Sequence, residues 1–325
     1  MKQPLRRRVR ARILEGLSHV GEHLPRRAWH GALAGTARMF AGSRYGERAA
    51  ANLRTAYGDE LSDAEVRDLV RRVLAHTARQ TAEWLRLARS GPPGSAAQQW
   101  IRGAVELDSS IEQLKALHAE GRGVIIVTPH LGNWELLAAR LRLAGYDGAV
   151  VGRQRARDSS SDWIVSMRRA YDVETIAQDA SPRESLAVLA AGGVLGLLPD
   201  LEVRRLAGAF LPFFGVPALT MTAPAALARA HRVPLLPARC ILPEPAARSD
   251  TYTLSFEKPL APRADLPRRE ATLELTTRLN ALFERWIRET PTQWAWHQHR
   301  WRTKPGTFEP IPLRERRRRE RGGEL

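Results

Sequence analysis

Apolar positions along this chain follow two rhythms, which change near residue 95. From 26 to 90 they recur at helical spacing. Trp29, Leu33, Ala37 and Phe40 form one stripe, and Leu69, Val73, Trp84 and Leu87 mark a longer helix that also carries His76. Ser62-Asp63-Ala64-Glu65 is a capping box opening that helix. Ser90-Gly91-Pro92-Pro93-Gly94-Ser95 interrupts the pattern. Beyond it, short strand-like runs alternate with helical stretches. The runs lie at 124–127, 149–151, 173–176, 194–198, 235–241 and 252–256. Helices are predicted at 111–119, near 163–167, from Ser181-Pro182-Arg183-Glu184 onward, and at 268–289. Such alternation predicts an α/β fold with a mostly parallel central sheet flanked by helices, preceded by a helical lead-in.

The strongest run, Val124-Ile125-Ile126-Val127, is stopped by Pro129 and Gly132, and an apolar helix pattern follows. His130 therefore sits on a strand-to-helix turn at a strand's carboxyl end, where open α/β sheets place their ligands. Glu135 falls in the first turn of the helix. If the turn folds back, its carboxylate fixes the imidazole tautomer and stabilises the imidazolium. On spacing alone, a capping histidine beside a first-turn acid favoured by the helix dipole is the commoner arrangement. Pro199-Asp200-Leu201-Glu202 ends the run at 194–198 in the same way, so His130 and Asp200 should share one sheet edge.

Residues 1–25 form a basic segment with Arg6, Arg7, Arg8, Arg10 and Arg12 beside Leu5, Val9, Ile13 and Leu17. That pattern fits a helix lying in a membrane interface and equally a solvated arm packed through one face. The expected organisation is thus this segment, a helical lead-in at 26–95, an α/β core at 96–310 and a charged, disordered tail at 311–325.

Composition narrows the classes. The 325 residues carry 51 Lys and Arg against 35 Asp and Glu, a net charge of +16. Such a surface attracts anionic lipid headgroups, acidic carrier proteins or nucleic acid. Aromatic residues do not interleave with the Arg runs, so no nucleic-acid partner is expected. Cys240 is the one cysteine, which excludes an intramolecular disulfide and a Cys/His zinc site. No metal or other cofactor is expected. No run of 18 apolar residues exists, and the N-terminus lacks the apolar stretch of a signal peptide.

Pro129-His130-Leu131-Gly132-Asn133-Trp134-Glu135 resembles the His, four residues, acid motif of the glycerolipid acyltransferase superfamily. It is most similar to the branch of the lipid A late (lauroyl/myristoyl) acyltransferases and the phosphatidylinositol mannoside acyltransferases. Further motifs resemble that branch in order from about 35 to 307. They are Asn52-Leu53-Arg54-Thr55-Ala56-Tyr57, the Pro199-Asp200 pair, Phe213-Phe214-Gly215-Val216-Pro217-Ala218, and Gln293 to Pro305 with its Trp, His and Arg. Asn133 and Trp134 lean toward the mannoside side. Many members also carry an N-terminal transmembrane helix where this chain has only a basic amphipathic segment.

The resemblance implies O-acyl transfer from an acyl carrier protein or acyl-coenzyme A thioester to a hydroxyl of a glycolipid or lipid A-type acceptor. The alternatives are a mannoside-type or other lysolipid acyltransferase, and a non-catalytic lipid-binding membrane protein. His130 is then the general base and Glu135 its partner. Asn133, Arg153, Asp200, Glu202, Arg205, Phe213, Phe214 and Arg300 are implied to bind substrate. His297 and His299 read as structural or headgroup-contacting. The Trp-rich end reads as a membrane-interface patch beside residues 1–25. The expected location is the cytoplasmic face of the bacterial inner membrane, as a peripheral protein.

Overall fold

The structure, a computed structural model, describes residues 5–89, 95–153, 159–204, 206, 208–243 and 250–307. Four helices lead in: α1 (Leu5–His23), α2 (Arg26–Arg38), α3 (Arg44–Tyr57) and α4 (Asp63–Leu87). Pro25 separates the first two, and the Ser62–Glu65 capping box opens α4 as its sequence requires. After them come α5 (Ala96–Ala104), β1 (Val105–Leu107), α6 (Ile111–Ala119), β2 (Val124–Val127), α7 (Trp134–Arg142), β3 (Gly148–Gly152), α8 (Ser159–Ala170) and β4 (Glu174–Ala177). The chain continues through α9 (Pro182–Ala190), β5 (Val194–Leu197), β6 (Gly208–Phe213), β7 (Val216–Met221), α10 (Ala223–His231), β8 (Leu235–Ile241), β9 (Tyr252–Phe256) and α11 (Arg268–Glu289).

Seven strands form the central sheet in the order β1-β9-β8-β2-β5-β3-β4. Every neighbouring pair is parallel except β8 and β9. Helices cover both faces, which explains why the strands read as apolar runs without alternation. In β2, Ile125 and Val127 enter one apolar cluster, and Val124 and Ile126 enter the other. The first cluster also takes Ala49, Leu53, Val66, Val70 and Val73 from α3 and α4, so the lead-in and the sheet share a core. Of the break at 90–95, residues 90–94 lie outside the described residues, as does the tail from 308.

Strands β6 and β7, which hydrophobic patterning did not reveal, form a separate antiparallel hairpin. Its turn is Phe214-Gly215, both at positive φ (53° and 69°), the geometry that tight hairpins demand. The apolar stripe expected on α1 divides. Leu14 and Leu17 pack on Trp29, Ala82 and Leu85, whereas Ile13 faces out.

Candidate active site

Strands β2 and β5 lie side by side with Val127 opposite Leu197. His130 and Asp200 each stand three residues past that pair, so the register itself brings them together. His130 Nδ1 lies 2.7 Å from Asp200 Oδ1, and the His130 backbone N–H donates to Oδ2 at 2.8 Å. Trp294 Nε1 donates to the same Oδ2 at 2.8 Å. Asp200 is fully buried. Burial alone would raise its pKa. The adjoining His130 charge and the hydrogen bonds from His130 and Trp294 outweigh that and hold it below the ordinary carboxylate range. A carboxylate in this place makes Nδ1 the protonated nitrogen of a neutral ring, which leaves Nε2 to accept. The His130 side chain keeps 23% of its surface exposed. Its ring meets Trp134 edge to face, centroids 4.8 Å apart.

The expected His130–Glu135 contact is not what forms. Glu135 is buried in the first turn of α7, where Arg168 of α8 grips it with Nε at 2.9 Å and Nη2 at 2.6 Å. Tyr171 Oη donates to it at 2.9 Å. Among the described residues no hydrogen bond joins Glu135 to His130. The reason lies in the turn between them. Gly132 has φ 62°, and Asn133 caps α7 by accepting from the Leu136 N–H at 3.1 Å. The helix thus starts beyond the loop, and its first-turn acid points to α8. Asp200, expected to bind substrate, takes the place assigned to Glu135.

The loop is fixed on three sides. Gly132 N–H donates to the Gln293 carbonyl at 3.0 Å and Asn133 N–H to the Cys240 carbonyl at 2.7 Å, while Ala295 N–H donates to the His130 carbonyl at 3.0 Å. A Cβ on Gly132 would stand 2.0 Å from the Cys240 oxygen, so the position tolerates only glycine. From α4, Gln80 Nε2 donates to the Gly132 carbonyl at 2.6 Å and Trp84 Nε1 to Asn133 Oδ1 at 3.0 Å. Asn133 Nδ2 donates to Glu83 Oε2 at 2.7 Å. From α3, Asn52 Nδ2 donates to the carbonyls of Trp296 and Gln298, each at 2.7 Å. The helical lead-in is therefore the clamp of the site. Gln80, Glu83 and Trp294 were missed in the sequence. The available signal was a polar pair, Gln80 and Glu83, on the same stripe as the buried residues of α4.

The other expected substrate contacts divide. Asn133 is fully buried within the loop's own framework. Glu202 accepts from Arg302 Nη2 at 3.0 Å and Thr303 Oγ1 at 2.7 Å. Phe213 and Phe214 pack among Trp294, Trp296 and Trp301. Arg300 lies under that cluster, 4.2 Å from the Phe213 ring centre, and donates to the Leu219 carbonyl and Thr220 Oγ1. Burial pushes its pKa down to about 10. These residues build the wall behind Asp200. The Trp-rich end is likewise interior, with Trp294, Trp296 and Trp301 all buried, which corrects its reading as a membrane patch. Their rings carry the apolar core between hairpin and sheet edge and so are not presented to a bilayer. Arg153 is exposed at the end of β3, and Arg205 lies outside the described residues. His297 sits near His130; burial, the His130 charge and Arg48 lower its pKa to about 4. Among the described residues no group of three or more His, Cys, Asp or Glu is placed to hold a metal.

A histidine whose Nδ1 rests on a buried carboxylate, with Nε2 turned away from it, is equipped to take a proton from a hydroxyl. A family model described as bacterial lipid A biosynthesis acyltransferase matches residues 15–303. A lipid A biosynthesis lauroyltransferase of Escherichia coli K12 is 27% identical over 206 residues. That match covers 63% of this chain and 63% of that enzyme, less than two thirds of its length.

Proposed function

The chain belongs to the bacterial lipid A biosynthesis acyltransferase family, and on that premise we propose that it moves a fatty acyl chain from a thioester donor to a lipid hydroxyl. The donor is an acyl carrier protein or coenzyme A thioester, and the acceptor a glycolipid or lipid A-type molecule. The observation that carries this reading is the His130–Asp200 pair at the carboxyl edge of β2 and β5.

In this mechanism His130 Nε2 takes the proton of the acceptor hydroxyl while Asp200 stabilises the imidazolium that forms. The oxygen attacks the thioester carbonyl, making a C–O bond. Collapse of the tetrahedral adduct breaks the C–S bond, and the leaving thiolate recovers the proton from His130. Asp200 stays ionised throughout, because its hydrogen bonds favour the carboxylate. Glu135 acts through the framework. Its contacts with Arg168 and Tyr171 fix the first turn of α7, five residues from the base.

We assign the encounter with lipid to the N-terminal face, docked peripherally on an anionic membrane surface, the cytoplasmic face of the inner membrane. Among the described residues the exposed large apolar side chains are Ile13, Val20, Leu24, Met39, Phe40 and Tyr45, all within one stretch. The first 48 residues carry eleven Lys and Arg against three Glu. Exposed apolar side chains within a stretch rich in basic residues suit an anionic leaflet. Tyr45 connects this face to the reaction centre, its ring 6.5 Å from that of His297. No described helix is long and apolar enough to cross a membrane.

The test is product formation by purified protein from acyl carrier protein and coenzyme A thioesters, with and without a lipid A precursor. Acyl-lipid that requires both substrates and His130 supports the reading. Thioester loss of equal rate without acceptor makes the protein a hydrolase, and no turnover with any pair contradicts the assignment.

A further inference from the structure

Glu83 lies near the C-terminal end of α4 with no exposed surface. One of its oxygens faces the lead-in: Arg26 Nη2 of α2 donates to Oε1 at 2.7 Å, with Arg79 Nε at 3.8 Å and His30 Nε2 at 3.5 Å. Burial, followed by the charges of Arg79 and Arg26, lowers the His30 pKa to about 3, so at neutral pH the countercharge to Glu83 comes from the arginines. The other oxygen faces the reaction centre and accepts from Asn133 Nδ2 at 2.7 Å. Asn133 is held from both ends of its amide, since its Oδ1 receives Trp84 Nε1 at 3.0 Å and the Leu136 N–H at 3.1 Å. Its own N–H donates to the Cys240 carbonyl. Two residues, Leu131 and Gly132, separate it from His130.

A buried carboxylate between two groups is costly to strand. Removing Arg26 leaves only the more distant Arg79, at 3.8 Å, to answer the charge, and removing the carboxylate leaves an unpaired amide in a low dielectric. The orientation of the Asn133 amide is therefore tied to the position of the Arg26 guanidinium, although the two side chains do not touch. Arg26 is the first residue of α2, directly after the Pro25 break that joins α2 to α1.

We propose that Glu83 is a positioning residue of the acyltransferase site, and that through it the docking of α2 sets the loop bearing His130. Arg26 fixes the carboxylate, the carboxylate fixes the Asn133 amide, and that amide caps α7 and holds the turn. The helices that face the lipid are in this way wired to the general base. The proposal rests on the acyltransferase reading for its effect on rate, and on geometry alone for its effect on loop order.

Both effects are measured in one double-mutant cycle on the full chain, with Arg26→Met, Asn133→Ala and the pair, and Glu83→Gln as the conservative variant. The readouts are kcat and donor KM, amide hydrogen exchange at residues 131–134, and the melting temperature. Misplacing a catalytic group by about 1 Å costs on the order of 10²-fold in rate, so Arg26→Met is expected to lower kcat by about ten- to a hundredfold. Donor KM should stay within about twofold and exchange at 131–134 should speed up. In the Asn133→Ala background, Arg26→Met should change neither readout by more than about twofold. Glu83→Gln, which keeps an acceptor for Asn133, should lie between wild type and Arg26→Met. Multiplicative losses in the double variant, or a lower melting temperature with unchanged kcat per folded molecule, would overturn the proposal. Should the wild type transfer no acyl group at all, the function assigned above fails, and the exchange cycle still decides the coupling.

Discussion

Asp200 accepts from His130 on both carboxylate oxygens, the ring nitrogen on one and the backbone N–H on the other. Such a two-point clasp fixes the ring and the peptide that carries it. It follows from strand register, since Val127 and Leu197 are opposite one another and both loops leave the sheet at the same level. Trp294 completes the clasp from the C-terminal segment. Three separate stretches of chain converge on one carboxylate, so its geometry is settled by the core rather than by the loop.

The division of labour between the two acids has a measurable consequence. Glu135→Gln removes the countercharge of a buried Arg168. Breaking a buried pair from one side costs about 3–5 kcal/mol, so the variant should melt well below wild type. Its pH–rate profile should keep the wild-type acid limb, because the His130–Asp200 contact is untouched. A shifted acid limb at unchanged melting temperature would give Glu135 the role assigned here to Asp200.

Buried histidines set a pH window for stability. Burial is the leading cause that lowers His30 to about 3 and His297 to about 4. An unfolded histidine titrates near 6.5. Between about pH 6.5 and 4 the unfolded chain therefore binds protons that the folded chain refuses, and stability falls as pH falls. Asp200 has the opposite displacement, a lowered carboxylate, so its contribution is complete in that window and is lost only below the ordinary carboxylate range. Urea midpoints should decline from pH 6.5 to 4, and His30→Gln with His297→Gln should flatten the decline. A midpoint flat over that interval in the wild type would contradict the burial of both rings.

Much of this was written in the sequence. The β-branched run at 124–127 and the apolar run at 194–197 mark strands covered on both faces, and the Ser62 and Ser181 caps mark helix starts. Pro129 and Gly132, which end a strand in front of a helix, placed His130 at a sheet edge, and its role came from the resemblance of residues 129–135 to a family motif. Its partner was misread because distance along the chain favours Glu135, five residues away, whereas Asp200 is 70 residues away and is delivered only by strand pairing. The Trp-rich end was misread for a related reason. Trp beside Arg has the composition of a membrane interface, but Arg300 and the three tryptophans are packed inward against Phe213 and Phe214. The hairpin of β6 and β7 escaped notice because Pro212 and Pro217 interrupt the expected alternation and face each other across the ladder.

Membrane docking is checked with vesicles. Met39 and Phe40 are 83% and 58% exposed just past the end of α2. Met39→Ser with Phe40→Ser should weaken binding to vesicles containing anionic lipid and leave the melting temperature unchanged. Each Lys or Arg near an anionic surface contributes about 1 kcal/mol, so binding should also fall as salt rises. Equal binding by wild type and variant, or binding that ignores salt, would move the docking surface elsewhere.

The most direct measurement is single-turnover acyl transfer by Asp200→Asn beside His130→Ala, with melting temperatures recorded for both. An amide cannot hold the Nδ1–H tautomer or stabilise the imidazolium, and the comparable change in a Ser-His-Asp enzyme lowers kcat by roughly 10⁴. Asp200→Asn should therefore lose about 10²- to 10⁴-fold, approaching His130→Ala, while the folded protein still binds donor. Transfer by Asp200→Asn within a few fold of wild type would contradict the assignment of Asp200 as partner of the general base.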